Sequence, residues 1–292
     1  MAFTNKLKLK MDDKINDEIW INLNTNDRAG LNLLDAKYFS IDNIIREINT
    51  GCSPCPDILT ENFGSKPSVM FVSTVYGLVN KYLKQEYNRS KQDCNTFCND
   101  FYKKIIQSGT GIYKRLDKIY MLLAEIKGQE LDFCFTELVK TVLVDHDNKV
   151  SGLGSKGSFI KYFEEVEFRF LEERINQIKN ECFIFSFSEE VTYFLIKIFN
   201  KGTTLLEDDF NILHTENKKV NIDIRIKRNG DYKFNIEAGG TYSNSVAFKT
   251  VLKVKDKKVY IIPLPHPSTA NNKYWQENQC WEQLKELLKM CV

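Results

Sequence analysis

The chain has 292 residues, 42% hydrophobic and 27% charged, which suits one large or two small globular domains and excludes an intrinsically disordered chain. Its 41 lysines and arginines nearly balance 39 acids, for a formal charge of +2. That excludes a polybasic, histone-like protein but leaves room for a local basic groove.

In chain order, residues 1–40 predict a cap segment packed on a main domain, 41–292. The opening stretch (MAFTNKLKLKMDDK) is lysine-rich without the apolar core of a signal peptide, and no apolar run is long enough to span a bilayer. A cytoplasmic protein with no membrane contact is expected. Val69 to Ser73 (VMFVS) reads as a buried strand. Ile112 to Ile126 reads as a helix with Ile112, Leu116, Ile119, Leu122 and Leu123 on one stripe. Leu131 to Thr136 (LDFCFT) is a second strand, and Phe159 to Ile178 a second helix. Cys182 to Phe187 (CFIFSF), a helix over Val191 to Phe199, Val259 to Leu264 (VYIIPL) and a helix over Tyr274 to Met290 complete the series.

Continuous rather than alternating apolar strands suit a parallel sheet covered on both faces. The expected fold is α/β: a three-layer α/β/α sandwich with a short, mostly parallel central sheet. One segment departs from it. Apolar residues alternate through Ile222, Ile224 and Ile226 and again through Tyr232, Phe234 and Ile236, around an Asn229-Gly230 turn. This predicts an antiparallel β-hairpin insertion at about 218–256.

Eight cysteines in a long chain without a signal peptide predict reduced thiols. Only Cys52/Cys55 and Cys94/Cys98 have ligand-like spacing, with no second close pair or nearby histidine, so no zinc site is expected. Cys134, Cys182, Cys280 and Cys291 read as small buried hydrophobes.

The segment richest in chemistry is Ile261 to Trp275 (IIPLPHPSTANNKYW). A buried strand runs into Pro265-His266-Pro267-Ser268, so two prolines stiffen the backbone around one histidine at a carboxyl strand end, where α/β sheets bind ligands. Alone, this is either a site or a stiff turn into a helix.

Its context resembles the uracil-DNA glycosylase superfamily, nearest the iron–sulfur branch. The His266-Pro267-Ser268 loop followed by Asn271 and the Tyr274-Trp275 pair is similar to the final motif of that superfamily. Gly51-Cys52-Ser53-Pro54-Cys55-Pro56 ahead of Val69-Met70-Phe71-Val72 looks like its start, and Phe135-Thr136-Glu137-Leu138-Val139-Lys140 like its Thr-Asn-x-x-Lys block. Phe170 to Ile184 is similar to the helix and strand that follow. The likeness runs from about Ile44 to Trp281.

The resemblance implies an enzyme that flips a nucleotide out of double-stranded DNA and hydrolyses its N-glycosidic bond. His266 would donate a hydrogen bond to the departing base. Ser268, Lys140, Asn271, Tyr274 and Trp275 would contact DNA. Tyr76 and Phe97 would border the base, though Phe97 reads equally as a core residue, and Tyr274 and Trp275 as the first apolar contacts of the last helix. Lys156, in the glycine-rich Ser151 to Ser158 stretch, reads either as a phosphate contact or as part of a plain loop.

The departures carry information too. The first loop reads Val72-Ser73-Thr74-Val75-Tyr76-Gly77, placing Thr74 where an acid would polarise water. Asp93, Asp100 or Asp145 would substitute, or the site leans on His266. Thr141 stands where a third cluster cysteine would be, and a cluster needs four thiolates, so no iron–sulfur cluster and no other cofactor is expected. Glu137 replaces an asparagine that reads uracil. An ionised glutamate only accepts hydrogen bonds, and cytosine offers an amino donor there. Either Glu137 selects a cytosine-type base, or it turns outward and pairs with Lys140.

The expectation is a monomeric, monofunctional DNA glycosylase acting on a modified cytosine, such as glucosylated hydroxymethylcytosine in phage DNA, as a defence enzyme. The alternatives are a uracil-DNA glycosylase of base excision repair and a non-catalytic DNA-binding module.

Overall fold

The computed structural model describes residues 9–12, 30–49, 57–60, 66–75, 111–141, 143–147, 159–200, 206–214, 223–227, 233–237, 246–267, 272–276 and 278–292. Along the chain come β1 (Leu9–Asp12), α1 (Ile41–Asn49), β2 (Asp57–Thr60), β3 (Val69–Val75), α2 (Gly111–Lys127) and β4 (Phe133–Val139). A helical turn at Ile160–Tyr162 and a π-helical stretch at Phe163–Glu167 run into α3 (Phe168–Asn176). Then follow β5 (Glu181–Ser186), α4 (Glu189–Phe199), α5 (Leu206–Asp209), β6 (Phe210–His214), β7 (Asp223–Lys227), β8 (Lys233–Glu237), β9 (Thr250–Val254) and β10 (Lys258–Pro263). The chain closes with α6 (Asn272–Gln276) and α7 (Asn278–Met290).

Each of the four continuous apolar runs forms a strand, and these four lie together in the order β4-β3-β5-β10. Their pairings are all parallel, with Val69 opposite both Phe133 and Phe183, and Ile184 opposite Ile261. The flanking strands are antiparallel: β1 and β2 on the β4 side, β9 and β6 on the β10 side, eight strands in all. The parallel character is therefore confined to the centre. β7 and β8 pair antiparallel as a separate two-stranded hairpin, as their alternation predicts. β9, which the sequence grouped with that hairpin, joins the main sheet, because Val251, Leu252 and Val254 are all buried.

Strand alternation assigns the helices to two faces. Phe71, Phe133, Phe135, Phe183 and Phe185 share one face. There α2 covers them, with the Tyr113 ring 6.4 Å from Phe135 and Lys127 Nζ 5.5 Å from the centre of Phe183. α7 packs beside α2, placing Lys118 Nζ 3.8 Å over the Trp281 ring. On the other face lie α3 and α4, joined by a Phe168–Phe194 contact at 5.9 Å and tied to β5 by Ser186 Oγ and Thr192 Oγ1 at 2.7 Å. This is the three-layer sandwich. Aromatic contacts at its heart, such as Phe71 with Phe133 (5.4 Å) and Phe185 (5.2 Å), each add about 0.5–1.5 kcal/mol beyond area burial.

Local sequence explains the element ends. Ser188 caps α4 by accepting from Val191 N at 3.2 Å, and Glu189 and Glu190 suit the positive end of that helix. The described residues of the first forty share the main sheet and core: β1 adds its edge strand, and Leu31, Leu34 and Phe39 are buried. Gly30 (φ +89°) approaches the π-helical stretch so closely that a Cβ would lie 2.1 Å from Val166 Cγ2. Among the described residues, no helix is long and apolar enough to cross a membrane.

Candidate active site

β10 ends at Pro263, and the chain continues as Leu264-Pro265-His266-Pro267. Leu264 N still donates to Ser186 O at 2.9 Å, extending the parallel pairing and delivering His266 to the carboxyl edge of the sheet. There His266 Nε2 lies 3.0 Å from Ser73 Oγ, near the end of β3. Ser73 is opposite Glu137 of β4 in register, so the two side chains project to the same face of adjacent strands about 4.8 Å apart. Three residues from three strand ends thus converge on one side of the sheet.

α2 closes this side. Tyr113 sits over Phe135, while Lys127 at the other end forms an ion pair with Glu181 (2.9 Å) at the start of β5. The helix therefore runs opposite to the strands, with its positive amino end towards His266. From its second turn Arg115 Nη1 donates to Pro267 O at 2.7 Å. From α6 the Trp275 indole N–H donates to His266 O at 3.3 Å. Trp275 is itself fixed between Phe248 (5.1 Å) and Trp281 (5.4 Å). Phe248 holds this place at φ 64°, a conformation costly for a bulky residue.

The electrostatic consequence falls on the histidine. Burial, with the neighbouring Arg115 charge, lowers the His266 pKa from 6.5 to about 4, so its ring is neutral at physiological pH. A neutral imidazole donates one hydrogen bond and accepts another. The lowered pKa makes this one a weak general base, and Ser73 is only 3% exposed within a strand. The Ser73–His266 contact therefore serves ring orientation better than it would serve a serine nucleophile, which needs an exposed hydroxyl and a stronger base.

Glu137 is 7% exposed, with Oε2 shut off from solvent, so it does not turn outward as a surface carboxylate. Lys140 is also buried: Nζ donates to Thr136 Oγ1 at 2.7 Å, and its backbone N donates to Glu167. Glu167 accepts as well from Thr141 N (3.2 Å) and the Tyr162 hydroxyl (2.9 Å), while Thr141 Oγ1 lies 2.7 Å from that hydroxyl. The π-helical stretch brings Glu167 into this place, although burial raises its pKa. The carboxylate braces the chain just beyond Glu137.

Thr74 lies one residue past Ser73 in an extended strand and is 5% exposed. Its side chain alternates to the face opposite Ser73, and it is Ser73 that lies against His266. Trp275 is a core ring, as one of its two sequence readings had it, and Tyr274 is partly buried beneath Lys273 (4.7 Å to the ring centre). Asp145 lies beside α1, its carbonyl accepting from Asn43 Nδ2 at 2.9 Å. Tyr76, Asp93, Phe97, Asp100, Lys156, Ser268, Asn271 and the Cys52/Cys55 and Cys94/Cys98 pairs lie outside the described residues. Among the described residues, no group of three or more His, Cys, Asp or Glu could hold a metal ion.

Sequence reading missed Ser73 and Arg115. Arg115 falls three residues after Ile112 and four before Ile119, a charge on an otherwise apolar helical stripe, and that was the signal available. A separate groove of about 780 Å³, edged by Lys66, Lys179, Lys257 and Lys258, opens at the opposite, amino ends of β5 and β10. No protein-family model matches the chain, and neither a curated protein nor a solved structure matches it.

Proposed function

We propose that this protein is a DNA glycosylase of the uracil-DNA glycosylase type, acting on a modified cytosine. The observation that carries the reading is His266 held by Ser73 at the carboxyl edge of a parallel sheet, one strand from a buried Glu137; burial and Arg115 lower the His266 pKa and favour the neutral ring. Breaking an N-glycosidic bond leaves the bonding electrons on the base, so the transition state needs a donor aimed at a developing anion. A neutral imidazole provides that donor without forming an ion pair in the ground state. Arg115 and the amino end of α2 add positive potential for the same anion.

Glu137 would accept from the exocyclic amino group of the flipped base, which favours cytosine over uracil. A host could not survive removal of its ordinary cytosine, so the target carries a modification. Glucosylated hydroxymethylcytosine of phage DNA fits this requirement and makes the protein a defence enzyme. Water then attacks C1′ of the sugar cation, yielding an abasic site and the free base. Duplex DNA is the partner, and no metal or organic cofactor is required for this chemistry.

The test is a panel of duplexes carrying uracil, cytosine, hydroxymethylcytosine or its glucoside, treated with protein and then with hot alkali. Strand scission only at a modified cytosine supports the reading. Scission at uracil would replace it with base excision repair, and binding without scission anywhere would replace it with a DNA-binding module.

A further inference from the structure

We propose that Arg115 is a positioning residue: it clamps the Pro265-His266-Pro267 loop against α2 and fixes its guanidinium charge beside that loop. Pro265 and Pro267 carry no backbone N–H, so the loop is poor in donors and must be anchored largely through its carbonyls. Two successive carbonyls are engaged. His266 O accepts from the Trp275 indole (3.3 Å) and Pro267 O from Arg115 Nη1 (2.7 Å). The guanidinium carbon also lies 5.8 Å from the centre of the Trp275 ring, so both anchors support each other. The ring itself is held from the far side by Ser73 Oγ at 3.0 Å.

The same arginine is the charge that opposes protonation of His266, adding to burial. Around the ring, α2 brings Arg115, β3 the uncharged Ser73, β4 Glu137 on the same sheet face, and α6 the uncharged Trp275. Arg115 is thus the charged neighbour that acts on the ring, while Glu137 stands one strand beyond Ser73. The catalytic consequence rests on the glycosylase reading, whereas the charge state of the ring can be read without any substrate.

The experiment is an NMR titration of the imidazole resonances, tractable because the chain has only three histidines. It is run on the full-length protein, on Arg115→Met and on Arg115→Lys. His266→Gln assigns the signal. The expected result is a His266 pKa that rises by about one unit in Arg115→Met and stays near the unsubstituted value in Arg115→Lys. Base release should fall in both, because lysine keeps the charge but loses the planar fork. An unchanged His266 pKa in folded Arg115→Met overturns the proposal. If Arg115→Met does not fold, Arg115→Lys decides: full base release there removes the clamp. A shifted pKa with no base release from any duplex, even by the unsubstituted protein, would leave the clamp standing and remove the glycosylase reading.

Discussion

Ser73 and Glu137 face each other in register at the carboxyl ends of β3 and β4, and Ser73 Oγ in turn lies 3.0 Å from His266 Nε2. One hydroxyl therefore links the strand that carries the buried carboxylate to the loop that carries the histidine. Replacing Ser73 by alanine removes a single hydrogen bond to a neutral ring, worth about 0.5–1.5 kcal/mol. Base release by Ser73→Ala should slow about 2- to 10-fold in single-turnover assays. Total loss of activity, or labelling of Ser73 by a fluorophosphonate, would instead make it a nucleophile.

On the proposed glycosylase reading, Glu137 selects the base. Glu137→Gln replaces an acceptor oxygen by an amide donor and should reduce release of a cytosine-type base about 10- to 100-fold. Glu137→Asn restores the donor–acceptor pair suited to uracil and should raise release from uracil-containing duplexes. Both are read from competition assays on mixed duplexes. Equal losses on all bases would show that the carboxylate supports the fold rather than reading the base.

The low His266 pKa has two pH signatures. Base release should stay level on acidification past 6.5, where an ordinary histidine protonates, and fall only towards about 4. Stability follows the same window. Between about 6.5 and 4 the unfolded chain takes up a proton that the native ring refuses, so the native state loses up to about 3 kcal/mol as pH falls. Urea denaturation at several pH values, compared with His266→Asn, isolates that contribution; identical pH slopes would contradict it.

Glu167 is the brace behind the site. Glu167→Ala would strand Lys140 N, Thr141 N and the Tyr162 hydroxyl inside the protein and should lower stability by about 2–4 kcal/mol. Glu167→Gln keeps an acceptor and should cost less. Chemical denaturation of the pair provides the comparison, and equal stability of Glu167→Ala and the unsubstituted protein would contradict the bracing role.

The central sheet was legible because VMFVS, LDFCFT, CFIFSF and VYIIPL are too apolar to lie anywhere but between two helical layers. β1 and β2 were not: LKMD and DILT are four residues long, half of them polar, and pair at an edge of the sheet. The last helix was read as one element, but its first turn, α6, is separate and turns Trp275 inward beneath the His266 loop. Within the site, His266 stood out as a lone histidine between prolines at a strand end, and Glu137 as a departure from the Thr-Asn-x-x-Lys block that the segment resembles. Ser73 did not, because a motif alignment counts positions along a strand while the pleat decides which of two neighbours faces His266. Arg115 reaches the loop from 152 residues away in sequence, a contact that no local pattern encodes.

The most direct test of the account is single-turnover base release by His266→Ala, with duplex binding measured in parallel. Removing a donor to the developing anion should slow release about 100- to 1,000-fold while leaving the binding constant nearly unchanged. Release at the unsubstituted rate by a folded His266→Ala protein would contradict the account.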